Sequence, residues 1–224
     1  MDYQKPLSMR ELKSQNLAFI NSDGIKGLRP VHSSKKSIAE STWGKLWCKN
    51  LERYEVFAPC LPRGRSLLKS YALLNIEIDG RFISGKVRDP EVYDVDIEIV
   101  PVDLEKWQQY KKDNTFEINN LMDFLQGNIP QNLVDSTFCE HKGIFPEPPQ
   151  LRPSCTCPSY EMMCPHAATL LYGFGISLDQ NPHQLFDLIG VNVDEIMSLN
   201  ESLKSIDIKE DEIGDLFGIE LDDI

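Results

Sequence analysis

The chain has 224 residues and a formal net charge of −12, from 23 Lys and Arg against 35 Asp and Glu. This length accommodates one larger domain or two small ones with a real hydrophobic core. The acidity argues against a free-standing DNA-binding protein, because phosphate contacts dominate nucleic-acid affinity.

Charge is unevenly distributed along the chain. Residues 1–90 carry sixteen basic and nine acidic side chains, or +7, whereas residues 91–191 carry −10 and residues 192–224 carry −9. The N-terminal part can therefore present a local basic face within an acidic protein.

Neither a signal peptide nor a membrane span is predicted, because the N-terminus is polar and no apolar run reaches membrane length. Cys48, Cys60 and Cys139 are scattered along the chain, which suits a reducing cytosol. We therefore expect a cytoplasmic protein without membrane contact.

The first 36 residues show no hydrophobic periodicity and contain Gly24, Gly27 and Pro30, which predicts a flexible N-terminal arm. The arm is mildly basic. Two alternatives stay open for it, a solvated tail, which we favour, and a nucleic-acid-binding arm.

A helix is predicted from Ser37 to Tyr54. Its large apolar side chains recur at steps of four, four and three residues and so share one face; they are Trp43, Trp47, Leu51 and Tyr54. We expect the two tryptophans to anchor the core, since a base-stacking platform needs exposed rings.

A short basic segment, LPRGRSLLKS, follows this helix. Gly64 at its centre permits close backbone approach, so the segment is either a phosphate or acidic-partner contact or a charged surface turn. Together with two lysines on another face of the preceding helix, it supplies the candidate nucleic-acid or partner contacts: Arg63, Arg65, Lys69, Lys45 and Lys49.

Three strands are predicted next as an antiparallel meander. The first ends at Asp79-Gly80, a favoured hairpin turn, and the others span residues 81–88 and 92–100. Strict alternation in the third strand places three acidic side chains on one face: Asp94, Asp96 and Glu98. A half-exposed sheet explains these carboxylates without a magnesium nuclease site.

The C-terminal half contains a dense group of metal-binding residues. Cys155, Cys157, Cys164 and His166 lie within twelve residues, and three thiols with one imidazole match the ligands of a tetrahedral zinc ion. Four protein ligands leave no open position for water, so the zinc is predicted to be structural.

Local geometry supports the zinc prediction. Cys155 and Cys157 are two residues apart in a segment without helix formers, so an extended chain places both side chains on one face. Cys164 precedes Pro165, which predicts that it stands just outside a helix beginning at that proline. The helix N-terminus then favours its thiolate.

Three alternatives to the zinc site are weaker. A disulfide between Cys155 and Cys157 would close a strained ring, and the spacing does not orient Cys164 and His166 as a nucleophile and base. A second pair, Cys139 and His141, lies outside the compact site. No other pattern favours catalysis, so we expect a protein that is not an enzyme.

The ligand pattern CxC-x6-CxH resembles the SWIM zinc finger, which is named for its occurrence beside Swi/Snf-class ATPases and in Mutator-type transposases. The segments TWGKLWCKNLERY, LPRGRSLLKS, GIFPEPP and PHQLFDLIGV extend this resemblance to the bacterial SWIM zinc finger proteins over Ser37 to Leu199. The resemblance implies a zinc-dependent binding domain that contacts DNA or proteins and works with a Swi/Snf-type helicase or ATPase.

Two positions depart from the family pattern. The family usually has Pro-Asp-Trp after the first cysteine pair, where this chain has Pro158, Ser159 and Tyr160. The family usually has a lysine between the last two ligands, where this chain has Pro165. The missing lysine weakens the case for a phosphate contact at the finger itself.

Helices are predicted at residues 103–112, 117–125, after Pro130, around Leu185 and at residues 193–203. The fold class is therefore α+β, and the predicted regions are a flexible arm at 1–36, a helix and β-meander at 37–102, a helical region with the finger at 103–204, and an acidic tail at 205–224. The tail interleaves acidic and apolar side chains, so it either docks on a protein partner or forms a loose extension.

The favoured function is a DNA-transaction adaptor. A pure protein-protein module is the alternative, and a metal-dependent nuclease is the least favoured.

Overall fold

The structure, a computed structural model, describes residues 7–22, 27–34, 36–114, 126, 128, 131–137, 139, 142–159, 161–192 and 194–195. The helix predicted at 117–125, most of the helix predicted at 193–203, His141 and the acidic tail lie outside the described residues.

Helices and strands form separate runs along the chain, which confirms the predicted α+β class. The strands are β1 (Leu73–Asp79), β2 (Phe82–Arg88), β3 (Val92–Ile99) and β4 (Leu151–Cys155). The helices of the described part, in chain order, are α1 (Met9–Ile20), α2 (Thr42–Glu52), α3 (Leu61–Lys69), α4 (Leu104–Asp113), α5 (Gln131–Thr137), α6 (Pro165–Ser177) and α7 (Gln184–Ile189).

The four strands form one antiparallel sheet in the order β1-β2-β3-β4. The first three strands confirm the predicted meander, and Gly80 takes the positive φ of 52° in the turn between β1 and β2. In β3 the side chains of Val95, Ile97 and Ile99 are buried. On its other face Asp94 pairs with Lys86, so the alternation predicted from the sequence is confirmed.

β4 was not predicted. It brings the start of the finger into the sheet, because Cys155 pairs with Val95 and Leu151 with Ile99 of β3. Pro153 lies within β4, where it can donate no hydrogen bond; a proline is tolerated there because β4 is an edge strand of the sheet. The metal-ligand segment is therefore a continuation of the sheet.

α6 is the central helix of the fold. It contacts all four strands as well as α2 and α3, and its residues from His166 to Gly175 are all buried. Neighbouring elements therefore cover this helix on every side. A helix that is apolar all round needs such burial to be stable in water.

The tryptophans of α2 lie in the core, as predicted. Trp43 and Trp47 are 2% and 0% exposed, and Trp47 Nε1 donates a hydrogen bond of 2.8 Å to the carbonyl of Leu171 in α6. The ring of Trp47 also packs edge-to-face on Phe174, with centroids 4.8 Å apart. A base-stacking role for these rings is excluded by their burial.

The basic segment forms helix α3, so the prediction of a loop or surface turn is wrong. Gly64 does permit a close approach, but the partner is α6: a Cβ at this position would lie 2.6 Å from Cβ of Ala168. Thr169 donates a hydrogen bond of 3.2 Å to the carbonyl of Gly64 at the same crossing. Helix packing therefore explains this glycine.

The N-terminal segment contains helix α1, so the prediction that residues 1–36 lack regular structure is wrong for Met9–Ile20. Ser8 caps the helix in a reciprocal capping box with Glu11. Leu12 and Asn16 are fully buried, and Asn16 donates a hydrogen bond of 2.9 Å to the carbonyl of Ser70. These contacts attach α1 to the end of α3.

α4, α5 and α7 confirm three of the helices predicted in the second half of the chain. Within the described ranges, no helix combines the length and the apolar character that crossing a membrane requires.

Candidate metal centre

The four predicted zinc ligands converge on one point. One donor atom from each of Cys155, Cys157, Cys164 and His166 lies within 4.8 Å of all the others. Nδ1 of His166 is 3.7 Å from Sγ of Cys155 and 3.9 Å from Sγ of Cys164. Tetrahedral zinc, with sulfur at about 2.3 Å and nitrogen at about 2.0 Å, places such donors roughly 3.5 Å apart. The donor set therefore fits a metal ion of this kind.

The sheet positions the first two cysteines. Cys155 is the last residue of β4, and the ladder continues beyond it through two hydrogen bonds of 3.0 Å between Thr156 and Asp94. Cys157 follows directly, in a bend. Backbone pairing with β3 thus holds this CxC segment in place.

The start of α6 positions the other two ligands. Cys164 is the N-cap residue in an extended conformation, with φ −91° and ψ 165°, and Pro165 occupies the first turn. The Ala167 N–H group donates to Sγ of Cys164 at 3.4 Å. This confirms the predicted placement of Cys164 just outside the helix and of His166 in its first turn.

The thiols of Cys155 and Cys164 differ in pKa because their burial and hydrogen bonds differ. Burial raises the pKa of Cys155 to about 12. Burial also raises the pKa of Cys164, but His166 and the Ala167 N–H outweigh it and lower this pKa to about 7. A bound divalent cation would supply positive charge that favours the thiolate forms of Cys155 and Cys164.

The second ring nitrogen of His166 faces an acidic residue. Nε2 lies 3.7 Å from Oδ2 of Asp89, which follows β2. A metal at Nδ1 fixes the ring proton on Nε2, on the side of this carboxylate, which is the usual outer support of a metal-bound histidine. No sequence motif pointed to Asp89, because the spacing between it and the finger carries no local signal.

Arg63 in turn binds Asp89, the carboxylate that faces His166. Its Nη2 donates to both carboxylate oxygens of Asp89, at 2.7 and 2.9 Å. Burial raises the pKa of Asp89, but His166 and Arg63 outweigh it and lower the pKa below its ordinary value. The nucleic-acid or partner contact predicted for Arg63 stays a prediction; in the structure its guanidinium binds Asp89 beside the candidate metal centre.

An aromatic side chain fixes the plane of the imidazole. The ring of Tyr93 in β3 stacks on His166 with centroids 4.5 Å apart and an interplanar angle of 25°. The histidine ring is thus held by the thiols on one edge, by Asp89 on another and by Tyr93 on a face.

The loop between the CxC pair and the CxH pair carries two methionines in different environments. Met163 is 6% exposed and joins the core beside the site, whereas Met162 is 68% exposed. Tyr160 lies outside the described residues. One methionine therefore packs in the core, and the other offers apolar surface to solvent.

The remaining cysteines are separate from the centre. All six cysteines are free, so the disulfide alternative is not realised. Cys139 is exposed and does not belong to the cluster of donors. Cys48 and Cys60 are buried, and burial raises their pKa values to about 12 and about 11.

The other predicted contact residues fall into two groups. Lys45 and Lys49 are exposed on α2, and with Arg65 of α3 they line one cleft. Lys69, in the last turn of α3, does not line it. The structure thus brings together three of the five basic side chains singled out from the sequence.

The fold and the site define a mixed α and β protein with a candidate Cys3His metal centre at the junction of sheet and helix. No family model matches the chain, and no solved structure matches it at a significant level. The chain is 21% identical over 177 residues to the uncharacterized protein Rv2102 of Mycobacterium tuberculosis (strain ATCC 25618 / H37Rv). The alignment covers 78% of this chain and 64% of that protein, so the chain spans less than two thirds of its relative's length.

Proposed function

We propose that the protein is a zinc-stabilised, non-catalytic adaptor that works in DNA transactions. The observation that carries this proposal is the donor set itself, three thiols and one imidazole nitrogen within 4.8 Å of one another. Soft thiolates with one imidazole favour zinc over magnesium or calcium. Four protein donors fill a tetrahedral coordination sphere, which is typical of a structural ion.

The position of the centre supports a structural role. It joins the end of β4 to the start of α6, and α6 contacts every strand of the sheet. An ion there would hold the outer strand and the central helix in register. The free cysteines suit a reducing compartment, which supports a cytoplasmic location.

The DNA and helicase parts of the proposal rest on two further observations. The resemblance to SWIM zinc finger proteins supports a Swi/Snf-type helicase or ATPase as the partner. The convergence of Arg65, Lys45 and Lys49 on one cleft supports a contact with nucleic-acid phosphates.

A protein-protein module is the second candidate. Val56 and Met162 are 56% and 68% exposed, and both line a groove of about 250 Å³ beside the metal centre together with Pro59. Exposed methionine on an adaptable loop is typical of surfaces that bind apolar side chains of a partner. The nuclease alternative gains nothing from the described residues, where the Cys3His group is the one candidate metal cluster.

Metal analysis and DNA binding together test the proposal. We expect about one zinc per chain by elemental mass spectrometry, and a lower melting temperature after removal of the metal with a chelator. We also expect zinc-loaded protein to bind DNA with an affinity that falls steeply between about 50 and 200 mM salt.

Each outcome has a distinct meaning. A chain purified without metal, or one whose melting does not respond to chelation, would overturn the structural zinc. Stoichiometric zinc without DNA binding at low salt would favour the protein-protein module. Metal-dependent cleavage of DNA would contradict the non-catalytic role.

A further inference from the structure

A basic cleft lies on the opposite side of α2 from its buried tryptophans. It has a volume of about 220 Å³ and receives side chains from the loop before α2, from α2 itself and from α3. Four of its lining residues are basic and one is acidic; they are Lys36, Lys45, Lys49, Arg65 and Glu52. The cleft shares no residue with the metal centre.

The acidic residue of the cleft is already engaged. Glu52 pairs with Arg65, and it also accepts a hydrogen bond of 3.0 Å from the hydroxyl of Tyr172. The guanidinium carbon of Arg65 lies 5.5 Å from the centroid of the Tyr172 ring. Arg65 is therefore held in one position, with one carboxylate at one of its nitrogens and an aromatic ring beneath it.

The three lysines have no such partner. Lys36, Lys45 and Lys49 are exposed, and none forms an ion pair with another described residue. Lys45 and Lys49 lie one turn apart on α2, where like charges repel and destabilise a helix. An anion between these ammonium groups would remove the repulsion.

We infer that this cleft binds adjacent phosphate groups, supplied either by the backbone of a nucleic-acid strand or by a free polyphosphate chain. Phosphate oxygens accept charge-assisted hydrogen bonds from several ammonium groups at once, and the fixed guanidinium adds a planar donor. A local excess of positive charge is required to attract such a ligand to a protein of net charge −12. The nucleic-acid arm of this inference rests on the proposed function, whereas the polyphosphate arm does not.

A pair of charge-reversal variants tests the inference. The first is Lys45→Glu with Lys49→Glu, which removes two of the four basic groups of the cleft. The matched control is Lys112→Glu with Lys142→Glu, which makes the same change in net charge at exposed lysines outside the cleft. The probes are inorganic tripolyphosphate, followed by calorimetry, and a fluorescent 20-nucleotide single-stranded DNA, followed by anisotropy. Zinc content is measured for every variant, which separates a loss of the cleft from a loss of the metal centre.

We expect the wild-type protein and the control to bind with similar affinity, and the cleft variant to bind at least tenfold more weakly while keeping its zinc. For the DNA probe, the slope of log K against log salt should fall by about 1.4 when two lysines are lost, since each phosphate contact on a single strand contributes about 0.7. Binding of both probes, or of DNA alone, supports a backbone-binding cleft. Binding of tripolyphosphate alone supports the cleft and removes DNA from the proposed function. Failure of the wild-type protein to bind either probe, or an equal loss in both variants, overturns the inference.

Discussion

Oδ2 of Asp89 lies 3.7 Å from Nε2 of His166, on the edge of the imidazole that points away from the three thiols. The carboxylate comes from the end of the second strand, and the histidine comes from the first turn of the central helix. A ligand of the candidate metal centre is therefore oriented by a part of the chain that lies far from the finger in sequence.

The Asp89→Asn variant should bind zinc about 10- to 100-fold more weakly, because the amide cannot offer the imidazole N–H a charged acceptor. Competition with a chromophoric chelator measures this affinity. Asp96→Asn, the same change at an exposed position of β3, is the control and should leave zinc affinity unchanged. Equal affinity in both variants would show that Asp89 does not support the histidine.

The Arg63→Ala variant should also weaken zinc binding, by a smaller factor than Asp89→Asn, because Asp89 keeps its charge but loses two hydrogen bonds that fix its position. Binding of tripolyphosphate should be unchanged, since Arg63 does not line the basic cleft. Competition with a chromophoric chelator and titration with tripolyphosphate distinguish support of the metal centre from contact with phosphate. Normal zinc affinity with weakened phosphate binding would return Arg63 to the contact role that its sequence context indicates.

The Cys164→Ser variant should lose stoichiometric zinc and melt at a lower temperature. An ion present at 100 times its Kd contributes about 2.7 kcal/mol to folding, which corresponds to roughly 5–10 °C in a chain of this size. Calorimetry and elemental analysis measure the two effects. Cys139→Ser, at an exposed cysteine outside the cluster, should change neither. A full metal complement in Cys164→Ser would exclude this residue as a ligand.

The Gly64→Ala variant should destabilise the fold by about 1–3 kcal/mol, because the added methyl group meets Ala168 at 2.6 Å where α3 crosses α6. Urea unfolding measures the change. Ser66→Ala, on the same helix, is the control, with an expected change below about 0.5 kcal/mol. If Gly64→Ala were as stable as the wild type, α3 and α6 could move apart at this crossing without a loss of stability.

The convergence of the four candidate ligands was predictable because its sequence signals are local. The spacing of Cys155 and Cys157 predicts an extended segment, and the sequence Cys164-Pro165 predicts the boundary of a helix. A few neighbouring residues therefore determine the geometry of the site. The meander was predictable for the same reason, since alternation and the turn at Gly80 are visible within single strands.

Two elements, α1 and β4, were not predicted. The sequence carries a signal for the start of α1, whereas a proline argues against β4. Ser8 and Glu11 have the three-residue spacing of a capping box, which predicts a helix start at the position where α1 begins. In β4, Pro153 argues against a strand unless the strand is known to lie at the edge of a sheet, and only the pairing with β3 supplies that knowledge.

The pairing of Arg63 with Asp89 could not be predicted. A sequence shows that a side chain is charged, but its partner depends on which segments the fold brings together. Arg63 and Arg65 are two residues apart in one helix, yet the first pairs with Asp89 beside the candidate metal centre and the second pairs with Glu52 in the basic cleft.

The place of β4 at the edge of the sheet has a consequence for self-association. About fifty residues separate Ile99 from Leu151, and closing a loop of that length costs about 3.5 kcal/mol beyond a constant. β4 is one of the two edge strands, and this closure cost favours its release; a metal ion bound at Cys155 would oppose that release. Without β4, the eight-residue β3 would expose unpaired N–H and C=O groups beside Val95 and Ile97, which is a template for pairing with other chains. Pro153 makes β4 a poor template of this kind, so a bound ion that keeps the proline-bearing strand at the edge would also limit pairing with other chains.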